Sequence, residues 1–307
     1  MKSRRGYALV TTLWVISVAA VTATVAALTG RNAVNSARNR TLLERSHWAA
    51  VGCASRVRAS IDEWLDRSED FADAARGWRV LDRDVQPLAA GGSRECEISL
   101  EAAGTRLDVN AASDEMIGNL LRELGYDEGT AGAMVDALAD WRDSDSVTRS
   151  SGAEAEWYTS MRRDPPRNAD IVDAAETRRI RGFEDWARFD AVLAVDKGRI
   201  SLATAPAKVL AAIPGFTEEA AEVVVALRDA GTPLPTLLSL LELVSTSSRE
   251  SLLARYPDIA RLTTTDPDAW IMTVRASGAD PAPTAELRLR LQRVGKRAVV
   301  IEGRSRS

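Results

Sequence analysis

Histidine is almost missing. His47 is the only one in 307 residues, so any site that needs two imidazoles is excluded. A Ser-His-Asp arrangement needs one, but His47 lies in a helical stretch with no acidic or nucleophilic cluster around it. It reads as a helix-surface residue. Cysteine is nearly as scarce, with Cys53 and Cys96 alone. There is no glycine-rich phosphate loop, no nucleophile elbow and no histidine-based metal motif. A second long hydrophobic run is missing too, which excludes a multi-span membrane protein. With 45% apolar and 27% charged residues, what remains is a folded body with nothing that assembles an active site.

The one long apolar run is at the start. After Lys2, Arg4, Arg5 and Gly6, residues 7–28 carry no charge, proline or glycine. As a helix they cross a hydrocarbon core of about 30 Å. A cleaved secretory signal has a shorter core of about 7–15 residues, so the run reads as an anchor. The basic residues before it favour a cytoplasmic N-terminus. Arg31, Arg38, Arg40 and Arg45 follow, but large domains translocate regardless of such charges. The body is therefore expected in the periplasm.

Beyond the anchor, Leu42, Ser46, Ala49, Cys53, Val57, Ile61 and Leu65 recur every three or four residues, the stripe of an amphipathic helix. Residues 81–92 read as a loop. Cys96, Ile98 and Leu100 then alternate with polar residues, as in a half-buried strand, and after Gly104 residues 107–109 are expected to form its hairpin partner. Comparable strand patterns return only at 270–275, 286–291 and 298–302. Everything between has helical patterning. The expected fold is α+β: a long N-terminal helix on an antiparallel sheet, interrupted by a large inserted all-α domain.

The insert contains a weak repeat. Val109, Asn110, Ala112 and Met116-Ile117 align with Leu202, Ala203, Ala205 and Val209-Leu210. Each copy reads as a helix capped at Ser113 or opened by Pro206, a glycine turn, and a second helix, the second copy's capped at Thr217. These are helix-hairpin-helix-like units, which either bind DNA phosphates or serve packing. Residues 109–261 hold 17 basic against 26 acidic side chains, a net charge of −9. Phosphate neutralisation needs a basic footprint, so packing is favoured and no nucleic-acid partner is expected.

Two clusters remain. In DWRDSDSVTRSSGAEAEWY, Asp140, Asp143, Asp145, Glu154 and Glu156 crowd one polar segment. Oxygen-only donors at this density suit a hard cation such as Ca²⁺, although the spacing is not that of an EF-hand. The competing reading is a solvated acidic loop balanced by Arg142 and Arg149. Cys53 and Cys96 each sit on an apolar face and can meet. An oxidising compartment permits a disulfide, and two buried thiols are the alternative.

Taken together these features resemble the K-type minor pseudopilins of type II secretion systems. KSRRG-YALVTTLW is similar to a prepilin leader. The large insert, DWRDSD with GAEAEWY, and the Asn-Ala-Ala and ATAPAKVLAAIPGF pair (with Ala203 where asparagine is usual) complete the likeness. The resemblance implies that 1–6 is a leader, cut by prepilin peptidase between Gly6 and Tyr7, with possible N-methylation of Tyr7. It implies that 7–28 spans the inner membrane, that 29–108 and 266–307 form a pilin-like body, and that 109–265 is the insert. It also implies Ca²⁺ at the acidic segment, no enzymatic activity, and a place at the pseudopilus tip in protein export. The implied partners are I-type and J-type minor pseudopilins and the shaft subunits. The rival from another class is a membrane-anchored periplasmic helix-hairpin-helix DNA-binding protein.

Overall fold

In this computed structural model residues 4–70, 74–75, 77–78, 81, 96–232, 234, 236–277 and 284–306 are described. The expected loop at 81–92 lies almost wholly outside them. Helix α1 (Arg4–Asp66) is unbroken over 63 residues, roughly 95 Å at 1.5 Å per residue. Its N-terminal part has a mean hydropathy of 2.0 over the best window and no protein cover. Leu9, Val10, Trp14 and Ile16 point outward, and it is the one described helix long and apolar enough to cross a membrane.

The C-terminal part of α1 buries a stripe. Ser46, Ala50, Cys53, Ala54, Val57, Ile61 and Leu65 are all buried, spaced so that one face meets a sheet. That sheet is antiparallel, ordered β1 (Cys96–Ala102), β6 (Trp270–Ser277), β7 (Thr284–Val294) and β8 (Arg297–Arg306). Its helix-facing side contributes Trp270, Met272, Val274, Leu287 and Leu291 to one hydrophobic core. Cys53 and Cys96 are joined as a disulfide, tying α1 to the edge strand β1. Trp270 Nε1 donates to the Trp78 carbonyl and Trp78 Nε1 to that of Pro267, and Asp62 accepts the Ala298 amide at 2.7 Å.

One expected strand pairing is wrong. Residues 107–109 do not fold back on β1, whose partner is β6, with Cys96 opposite Ala276. Gly104, at φ +82, brings the chain so close to Arg199 that a Cβ would stand 1.9 Å from its carbonyl oxygen. The chain then leaves the sheet. β2 (Leu107–Asp108) pairs in parallel with β3 (Leu193–Ala194), and β4 (Ile200–Ser201) with β5 (Thr263–Thr264). The insert is therefore not purely helical, as two short parallel ladders close its ends.

Within it lie α2 (Asp114–Glu123), α3 (Glu128–Arg142), α4 (Ala155–Ser160), α5 (Ala174–Thr177), α6 (Ala207–Ala211), α7 (Glu218–Asp229), α8 (Leu237–Leu241), α9 (Thr246–Ala254) and α10 (Tyr256–Leu262). Ser113 and Thr217 accept the amides of Met116 and Ala220, capping α2 and α7. Glycines at positive φ, Gly125 and Gly215, turn the chain between α2 and α3 and between α6 and α7. A second, larger core runs from Leu107 to Ile259 through these elements.

Candidate metal centre

The acidic segment starts at the C-terminal end of α3. Asp140, fully buried, turns its carboxylate toward the loop that follows. There it accepts the Arg149 amide at 3.2–3.3 Å. Gly152 makes this approach possible, because a Cβ there would lie 2.0 Å from Asp140 Oδ2. The fold thereby uses Asp140 as the anchor of the 149–153 loop. Tyr158 supports the same loop from behind. Its ring packs edge-on against Trp141 at 5.1 Å, and its hydroxyl accepts the Arg181 amide. Burial pushes that hydroxyl's pKa up to about 12. Trp141 is buried and donates to Glu176 at 3.1 Å.

The loop delivers Glu154 to a position opposite the end of α3. Asp143, Asp145 and Glu154 place carboxylate oxygens within 4.8 Å of one another. Glu154 is 4% exposed and neither of its oxygens has a hydrogen-bond partner, while Asp143 Oδ1 is likewise buried and unpartnered. Burial raises the pKa of Glu154, and the charges of Asp140, Asp143 and Asp145 raise it further. Asp140 is raised chiefly by burial, with backbone bonds opposing and Asp143 adding to the rise.

Of the five acidic residues singled out in the sequence, three thus converge. Asp140 is spent on the Arg149 amide, and Glu156 is exposed on α4, outside the group. Arg142 and Arg149 do not balance the cluster. Arg142 turns inward to the carbonyls of Val109 and Ala112 and to Asp114, and Arg149 bonds Asp114 at 2.5 Å. Arg149 does approach Asp140, at 3.9 Å. Among the described residues no ion pair reaches Asp143, Asp145 or Glu154.

A further unpartnered oxygen, on a residue bonded to Asp145, escapes sequence reasoning. Asn168 sits at φ 50 and donates its amide to the Asp145 carbonyl and to Ser146, which leaves its Oδ1 buried with no partner. The one signal available was the residue type, since asparagine tolerates the left-handed region better than other non-glycine residues. Leaving a buried polar oxygen unmade costs about 1–3 kcal/mol, and more when it is charged. Three converging carboxylates, of which Glu154 and Asp143 Oδ1 have no donor while Asp145 Oδ1 accepts the Val147 amide at 2.8 Å, fit a hard cation that takes six to eight oxygens, with water completing the shell.

The glycine turns behave differently from an open phosphate cradle. A Cβ on Gly215 would meet Arg255 Cβ at 2.7 Å, and the Gly215 carbonyl accepts the Ser251 hydroxyl. That turn is covered by its own fold. The Gly125 turn is open but is followed by Asp127 and Glu128, which repel phosphate.

Residues 98–188, from β1 through the acidic segment, match the family model of type II secretion system (T2SS), protein K, first domain. The fold is similar to a chain in the crystal structure of the GspK-GspI-GspJ complex from the enterotoxigenic Escherichia coli type 2 secretion system. The TM-score is 0.57 at 13% identity, covering 89% of this chain and 99% of that one. No curated protein matches the sequence.

Proposed function

We propose that this member of the T2SS protein K family, a minor pseudopilin, caps the tip of the periplasmic pseudopilus in assembly and protein export across the outer membrane. Its proposed role is structural, and its proposed partners are I-type and J-type minor pseudopilins, with the shaft subunits below. The observation that supports the reading is the second core. Helix α1 and the sheet share a core of their own, which this reading takes as the pilin-like head, and the insert adds a larger core built from residues 107–262. In a helical fibre a subunit's head is packed by neighbours above and below, and a head enlarged this way obstructs the next subunit. The terminal position has no such neighbour.

Thr11 agrees with that place. It is the fifth residue if the chain begins at Tyr7, where most pilins carry a glutamate that pairs with the amine of the subunit ahead. A lone carboxylate in the bilayer costs about 2.5–3.5 kcal/mol on insertion scales, and a tip subunit has no amine ahead. The same reading has prepilin peptidase cutting between Gly6 and Tyr7, with possible methylation of Tyr7. The chain then stays single-pass in the inner membrane with its globular part in the periplasm. It also has a structural Ca²⁺ held by Asp143, Asp145 and Glu154, with Asn168 Oδ1 as a further donor. The ion supplies cross-linking charge, and the residues supply a preformed oxygen cluster that runs from buried Glu154 to exposed Asp145.

Labelled chain should appear at one end of isolated pseudopili, and the detergent-solubilised chain should co-purify with I-type and J-type partners. Label at regular intervals along the fibre would refute the cap. Gly6→Asp should leave a precursor whose mass begins at Met1. The DNA-binding rival predicts retention of duplex DNA at physiological salt, which the net charge of the insert and the covered Gly215 turn oppose.

A further inference from the structure

The sheet face turned away from α1 does not close on the insert. Between them lies a cavity of about 620 Å³, with Asp108 of β2 on one side and the polar residues of β7 and β8 on the other. Asp108 is 6% exposed. Its Oδ1 accepts the Asn110 amide at 3.1 Å, and its Oδ2 has no partner. Asp196 and Asp170, both at the cavity wall, add negative potential at Asp108, which Lys197 offsets in part. Arg288 is spoken for by Asp196, and Arg304 by Glu302 and the Val172 carbonyl.

A bare metal ion is a poor occupant. Among the described residues only Asp143, Asp145 and Glu154 bring three ligand atoms within 4.8 Å, and a volume in the range of about 300–1,000 Å³ is that of an organic ligand. The walls between the charges are apolar, from Ile171, Val172, Val195 and Ile271. Asp108 lines the cavity together with these apolar residues, and a buried carboxylate with an unpartnered oxygen asks for a donor on an apolar stem. We infer that this cavity binds an organic ammonium group on an alkyl chain, seated on Asp108 Oδ2. Such a group is carried by a lysine side chain of a neighbouring protein and by a free polyamine. Because the cavity is walled by both the insert and the sheet, an occupant touches both.

The test is ligand-observed NMR on the full chain in detergent, with N-acetyl-lysine methylamide as side-chain mimic, its Nζ-acetylated neutral analogue, and spermidine. The mimic or spermidine should bind saturably and the neutral analogue at least tenfold more weakly. Whichever amine binds tenfold tighter identifies the source. Asp108→Asn should weaken the better amine at least tenfold, and Glu250→Gln, on exposed α9, should leave it unchanged. Equal binding of the neutral analogue to wild-type chain overturns the inference without recourse to any variant. So does displacement of the amine by CaCl₂ from an Asp143→Ala, Asp145→Ala chain, which would make the cavity a metal site, and so does saturation of neither amine.

Discussion

Under the sheet, α1 offers a small or apolar side chain every three or four residues and meets strands whose apolar residues alternate. Inside the insert, shape is set by single side chains reaching backbone far away in sequence. Asn110 bonds Ile171 in both directions, Arg142 gathers the carbonyls of Val109 and Ala112, and Asp140 holds the 149–153 loop. A periodic core spreads its burial over many members, so losing one costs the cavity it leaves, about 2–5 kcal/mol for a large side chain. A core pinned by buried polar groups depends on each of them, since an unmatched partner keeps its desolvation cost. The first core is tied by a covalent bond, and the second carries an oxygen cluster that lacks a counter-charge.

The sharpest way to separate them is to cut the covalent tie. The disulfide closes a separation of 43 residues, which the chain-entropy account values at roughly 4 kcal/mol. Cys53→Ser with Cys96→Ser should therefore lower the stability of the helix-sheet core by about that amount, read by chemical denaturation. The calcium response of the insert should survive. If that response disappears with the cysteines, the two cores fold as one unit and the contrast fails.

The complementary cut is on the insert. A ligand held only by the folded state stabilises it by about 2.7 kcal/mol at a hundred times its dissociation constant. Calcium should raise the melting temperature of the insert transition, and Asp143→Ala with Asp145→Ala should abolish most of the rise. Asn168→Ala should weaken calcium binding without removing it. Superimposable curves in EDTA and in calcium would mean that the carboxylates are solvated and hold nothing.

How much of this was open to a reader of the sequence follows from the same contrast. The stripe of α1 and the strands at 270–277 and 284–294 declare themselves because periodic burial leaves a periodic pattern. The caps Ser113 and Thr217 were legible as local chemistry. The departure at Gly104 was not, because the glycine could mark a hairpin as well as a close approach to Arg199, and only the fold decides. Two-residue ladders such as Leu107–Asp108 against Leu193–Ala194 have no period to read. In the acidic segment, composition pointed to oxygen donors but could not sort them: Asp140 and Asp143 differ by less than one helical turn, yet one faces the Arg149 amide and the other the cluster. Asn168 stands 14 positions from Glu154 and nothing local connects them.

A smaller effect tests whether local signals carry energy in the insert as they do elsewhere. Ser113 Oγ accepts the Met116 amide at 3.2 Å, and removing such a cap costs about 1 kcal/mol. Ser113→Ala should cost that much in denaturant midpoint, while Ser113→Asp should restore it. No recovery with aspartate would show that Ser113 acts by packing.

The smallest expected effect lies on the seam between the cores. Arg199, just before β4, bonds Asp268, just before β6, through its backbone amide at 3.2 Å, its Nε at 3.1 Å and its terminal nitrogen at 2.6 Å. Partial burial works to raise the Asp268 pKa, but the bonds and charge of Arg199 outweigh it and hold the carboxyl below its ordinary value. A depressed carboxyl contributes stability that is fully present above its unfolded pKa, about 3.9, and lost as pH falls through the folded value. Arg199 is half exposed, so solvent screening keeps the pair near the 0.2–1 kcal/mol typical of surface ion pairs, of order half a kcal/mol. Asp268→Asn should thus cost a fraction of a kcal/mol at pH 7, and the gap from wild type should narrow as pH falls below about 4. Where the two cores melt separately, the loss should fall on neither transition alone but should widen the interval between them. A gap that stays constant down to pH 2 would show that the aspartate acts there through its shape and hydrogen bonds, not its charge.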